Sequence, residues 1–157
     1  MFSGRIVGVY TAPAAGVPMV GHDDVRAVAG IGLDGDRYAT GAGKYSDRGD
    51  RRDVTLIERE AIVGASNEYD LELAEHGTRR NLITEDVPLN HLVGKTFRVG
   101  DVVLRGIRLA EPCSYLAGLA ERPGISRALV HRGGLRAEVV TDGVISVGAT
   151  VEPTPGD

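Results

Sequence analysis

The stretch TFRVGDVVLRGIRL, from Thr96 to Leu109, decides the fold class. Thr96–Val99 and Val102–Leu109 are short runs of aliphatic and β-branched residues broken by single arginines, the composition of half-buried strands. Gly100-Asp101 between them is a two-residue hairpin connection. Working outward, the same kind of run recurs at residues 4–10, 25–28, 54–57 and 81–84. Residues 137–140 and 144–147 flank Asp142-Gly143 and read as a second hairpin. Helical spacing is confined to 58–69, to a short turn or helix at 89–93, and to 113–119 and 125–130, the last two separated by Pro123-Gly124. Residues 30–53 carry glycines and charges with almost no apolar periodicity and read as a long surface loop. The fold class is therefore mainly β with α: a closed or partly open β-barrel decorated by short helices. One domain spans residues 1–152, and 153–157 read as a flexible tail.

Bulk properties narrow the function. The chain has 157 residues and a formal charge of −4, which argues against binding a nucleic-acid backbone. Only two lysines, Lys44 and Lys95, stand among eighteen basic residues, so the cationic chemistry belongs to arginine. The single cysteine, Cys113, cannot form an intramolecular disulfide. Together with the absence of a leader pattern or spanning stretch, this makes a cytoplasmic protein off the membrane the expectation. No phosphate loop ending in Lys-Ser or Lys-Thr, no Ser nucleophile elbow and no zinc-type Cys or His pair occurs. The segment GLDGDRY, Gly32 to Tyr38, lacks the ligand spacing of a calcium loop and reads as a turn.

Three segments can carry chemistry. In RLAEPCSYL, Cys113 follows Pro112 where a strand ends and a helical pattern begins, a position that favours thiolate. A thiolate is both a soft metal ligand and a nucleophile, whereas a lone cysteine is also a common packing residue. In HRGGLRA, His131, Arg132 and Arg136 supply anion donors while Gly133 and Gly134 allow close backbone approach, or simply make a glycine turn. In HGTRRNLIT, strand alternation divides Arg80 from Arg79 and Asn81, and places one arginine near the core, where a carboxylate is the usual partner. His76 reads as a surface or capping residue.

In order along the chain, GDRY, DVTLIE, HGTRRNLIT, LNHLVGKTFRVG, RLAEPCSYL, HRGGLRAEV and GVISVG resemble the MOSC family, named after the C-terminal domain of molybdenum cofactor sulfurase, in its stand-alone bacterial form. The resemblance covers nearly the whole chain. It implies a barrel like the pyruvate kinase β-barrel domain and a bound molybdenum cofactor (molybdopterin). It implies that Cys113 is the family cysteine, either a molybdenum ligand in an oxidoreductase acting on N-hydroxylated compounds or a persulfide-bearing sulfur carrier. By the same resemblance, Arg79, Arg80 and Asn81 lie near the cofactor, and His131, Arg132, Gly133, Gly134 and Arg136 form the anion-contacting segment. Ala110 stands where many relatives carry a second cysteine, and Ala149 where an Asp is common. The implied partners are a small-molecule substrate or cofactor and a separate desulfurase or redox protein, with monomer and homodimer both open. No pyridoxal phosphate site is apparent. The alternative from the residues alone is a non-catalytic barrel that binds a small anion.

Overall fold

The computed structural model describes residues 1–43, 53–70, 72–110 and 128–155. Their strands are β1 (Gly4–Thr11), β2 (Val20–His22), β3 (Asp24–Val28), β4 (Gly32–Leu33), β5 (Val54–Glu58), β6 (Leu82–Glu85), β7 (Thr96–Val99), β8 (Val102–Leu109), β9 (Leu135–Val139), β10 (Gly143–Ser146) and β11 (Thr150–Pro153). Two α-helices, α1 (Arg37–Thr40) and α2 (Arg59–Tyr69), and 3-10 turns at Glu75–Thr78 and Leu89–Leu92 complete the described elements.

Seven strands run in the order β11-β7-β8-β9-β5-β6-β1, and β1 pairs back onto β11 through Gly4↔Val151 and Arg5↔Thr150, so the sheet closes into a barrel. Closure removes the free edges that an open sheet would present. All neighbours in the barrel are antiparallel except β5 and β6, which are parallel and joined by the crossover helix α2. The β7–β8 hairpin forms as the sequence predicts, with Val99 opposite Val102 and Gly100 at φ 59.

Alternation along the strands sorts the side chains into two layers. Ile6, Val9, Val54, Leu56, Leu82, Phe97, Leu104, Leu135 and Val139 fill the barrel interior. Ile57 and Ile83 point outward and meet Ile62 and Ala65 of α2 together with Ala128 and Leu129. Helix α2 thus covers one outer wall, and its apolar face is the one read from the sequence at Ala61, Ile62 and Ala65. Gly106 permits a close crossing of the wall, because a Cβ there would lie 2.1 Å from the Leu92 carbonyl oxygen.

Three expectations change. Residues 137–140 and 144–147 do not form a hairpin: β9 pairs with β5 and β8, whereas β10 pairs with β3 in a separate sheet, β10-β3-β4. Asp142 diverts the chain by accepting a hydrogen bond from the Ala29 backbone N–H at 2.7 Å. The described part of 30–53 is not a bare surface loop, since it holds β4 and α1, and Leu33, Asp36 and Arg37 are buried. The chain end is fixed further than expected: β11 runs to Pro153, and the Thr154 hydroxyl lies 2.6 Å from that of Thr96.

Candidate functional site at one rim of the barrel

Strand register brings the sequence-remote motifs level with Leu56 of β5. The end of β1 and the start of β6 reach it on one side and the start of β9 and the end of β8 on the other, because Val9 pairs with Leu82, Leu56 with both Leu82 and Leu135, and Leu109 with Leu135. Arg79, Arg80 and Asn81 directly precede β6, and His131 to Gly134 directly precede β9.

Arg80 joins the two motifs. Its Nε donates to the Gly133 carbonyl at 2.7 Å and its Nη2 to the Ala110 carbonyl at 2.8 Å. Ala110 ends the β8 side, three residues before Cys113, and Gly133 opens the β9 side. One planar guanidinium therefore ties both stems of the segment that carries the cysteine, a task suited to its fixed fork of donors. Cys113 itself, with the helical patterns at 113–119 and 125–127, lies outside the described residues.

Asn81 and Arg79 make other contacts, and strand alternation does not reach these three residues, because β6 begins only at Leu82 and Arg79 sits at φ 61. The Asn81 side chain is fully buried. Its Oδ1 accepts from the Thr55 backbone N–H at 3.0 Å and the Thr55 hydroxyl at 3.1 Å, and its Nδ2 donates to the Tyr10 carbonyl at 3.0 Å and to Asp36 Oδ1 at 3.2 Å. Asp36 caps α1 by accepting from Tyr38 N, also accepts from Ala12 N, and pairs with Arg37 at 3.0 Å. Arg37 is 6% exposed, donates to the Arg79 carbonyl at 3.2 Å and stacks over the Tyr38 ring. Arg79 adopts φ 61 and donates from Nη1 to the Val17 carbonyl. Neither Arg79 nor Arg80 is a core residue. Both donate to backbone carbonyls, and among the described residues the buried arginine is Arg37.

The glycine-rich segment is shaped by its own backbone. His131 sits at φ 61, with its carbonyl accepting from Asn90 Nδ2 at 3.1 Å. Gly134 has φ 101, and a Cβ there would lie 1.8 Å from the Leu56 carbonyl oxygen, so its close approach is to β5. Arg136 points outward from β9, opposite Thr55 on one side and Arg108 on the other. Arg132 Nη2 pairs with the exposed Glu68 carboxylate of α2, while its Nη1 is buried and has no hydrogen-bond partner.

That nitrogen bears on the implied cofactor. A buried guanidinium N–H without an acceptor is costly, and the group that best relieves it carries a negatively charged oxygen. Arg132 therefore fits an anionic ligand, whereas the Asn81 amide is already spent inside the protein. Among the described residues no set of three His, Cys, Asp or Glu side chains could hold a metal ion. No helix among them is long and apolar enough to cross a membrane.

Sequence reasoning missed Asp36 and Arg37 as structural residues. The signal was present, since Asp36 followed by a short polar run and Gly41 at φ 81 is an N-cap and C-terminal glycine pattern. Elsewhere on the outer wall, Arg59 bridges Glu75 and Glu85, which keeps its guanidinium more firmly protonated, and burial beside Glu75 raises the Tyr10 hydroxyl.

A closed seven-stranded barrel with an arginine-rich rim defines a small β-barrel domain. The sequence pattern of the MOSC domain matches residues 44–152, and the chain belongs to that family. Its fold is similar to that of YuaD from Bacillus subtilis, with a TM-score of 0.81 at 16% identity over 97% of each chain. It is also similar to YiiM from Escherichia coli, with a TM-score of 0.71 at 21% identity over 100% of this chain and 71% of that one. YiiM from Geobacillus stearothermophilus gives 0.69 at 17% identity over 96% and 75%. No curated protein matches the chain.

Proposed function

We propose that this MOSC-domain protein binds a molybdenum cofactor at the rim, with the Cys113 thiolate as metal ligand, and reduces N-hydroxylated compounds. The observation that carries the proposal is the Arg80 bridge, which brings the segment ends around Cys113 into contact with both arginine-bearing motifs. Arg132 would hold an anionic oxygen of the cofactor through Nη1, Arg136 would add positive charge nearby, and His131 would add a ring N–H donor. Arg79 and Asn81 would act at one remove, by fixing the stem from which Arg80 reaches out. When bound, the cofactor supplies two-electron redox chemistry at its metal. The protein's part is to hold, orient and shield it.

Elemental analysis of protein purified from a molybdenum-replete host tests this. Stoichiometric molybdenum in the wild type and its loss in Cys113→Ala is the expected result. Metal-free protein that also fails to take up free cofactor would overturn it. A gain of one sulfur at Cys113 on incubation with a desulfurase and cysteine, read by intact mass, would instead support the carrier role.

A further inference from the structure

Helix α2 touches the rim at one point, and the residues it places there are chemically specific. Gly64 and Glu68 are separated by four positions and so share one helix face. Glu68 takes Arg132 Nη2, and Gly64 leaves bare backbone beside the same guanidinium. A Cβ on Gly64 would lie 3.9 Å from Arg132 Nη1 and 4.0 Å from its Cζ. The loop that bears Arg132 is fixed from the other side. The Arg132 backbone N–H donates to the Leu129 carbonyl at 2.9 Å, Asn90 holds the His131 carbonyl, and Arg80 holds that of Gly133.

We propose that Glu68 is a positioning residue for Arg132. It takes one amino group of the guanidinium onto its carboxylate and leaves the other, Nη1, for an oxyanion of phosphate type. This rests on the assignment of Arg132 as an anion contact made above. The proposal opposes simple charge counting. Glu68 is negative and stands beside an anion site, so neutralising it should tighten anion binding if charge alone mattered. A positioning role demands the reverse, because an unanchored guanidinium regains rotamer freedom and must be ordered on binding.

Titration calorimetry of the full chain with inorganic phosphate separates these cases, with thermal melts to confirm that each variant is folded. Arg132→Ala abolishes measurable phosphate binding. Glu68→Gln weakens it by about tenfold, the loss expected when a charge-assisted contact is no longer held in place. Gly64→Leu weakens it through displacement of the guanidinium, whereas Gly64→Ala, whose Cβ fits at ordinary contact distance, leaves it unchanged. If wild type binds no phosphate, or Arg132→Ala binds as well as wild type, the anion assignment fails and the positioning role with it. If Arg132→Ala loses binding while Glu68→Gln binds as tightly as wild type or tighter, the positioning role alone is overturned.

Discussion

Two polar clusters flank the same rim, and they differ in how completely they are satisfied. Around Asn81, the amide, the Thr55 hydroxyl, the Asp36 carboxylate and the Arg37 guanidinium engage one another or the backbone. Around Arg132, the outer nitrogen is paired with an exposed carboxylate and the buried one has no partner. A closed network adds rigidity and specifies one arrangement of the chain, whereas a group left over is a cost that a ligand can relieve. The first cluster is therefore a folding element and the second the place we assign to the proposed ligand, although both are built from arginine and a carboxylate.

The sharpest way to break this distinction is at Asn81. Asn81→Leu strands the Thr55 N–H, the Tyr10 carbonyl and Asp36 in a buried setting. It should lower unfolding stability by roughly 3–5 kcal/mol in urea titration. Retention of wild-type stability would show that the network is not a folding element. Arg80→Ala comes next, at about 1–3 kcal/mol, because two carbonyl acceptors lose a charged donor. Hydrogen exchange should locate that loss at the Ala110 and Gly133 ends of β8 and β9. Arg132→Ala should shift stability by less than about 1 kcal/mol, since its partner Glu68 is exposed. A large loss there would move Arg132 into the structural class.

The smallest effect lies at the foot of α2. Burial, and then the charge of Glu60, raise the Glu58 carboxyl above its ordinary range, against the pull of the Leu89 backbone and His91. The folded chain therefore binds this proton more tightly than the unfolded chain, and stability falls as pH rises from the ordinary carboxylate range through the raised value. Glu58→Gln should melt slightly above wild type at pH 7, within about 0.5 kcal/mol, and the gap should close in acid. A gap that widens in acid would reverse the sign assigned to Glu58.

What the sequence disclosed follows the range of the interactions involved. The Gly100-Asp101 hairpin and the apolar face of α2 were legible because turn chemistry and helical spacing are local. Strand β2 was missed because all three of its residues are exposed, and β11 because a short run ending in proline has no pattern of its own. Val144–Val147 was correctly read as strand but given the wrong partner, since Asp142 sends it to β3 through a contact 113 residues away. At the site, the arginine-rich motifs were visible one by one. Their union through Arg80, and the dependence of Arg132 on a helix 64 residues earlier, are tertiary facts that no motif carries.

The pairing of β1 with β11 also sets an order of events in folding. The barrel cannot close until Thr150 and Val151 reach Arg5 and Gly4, the longest-range strand contact in the molecule. Until then β1 and β7 each expose a ladder of unpaired amides and carbonyls, which invites pairing with another copy. Such late, non-local closure predicts slow folding, and it makes four residues near the C-terminus the step that ends the chain's exposure to aggregation.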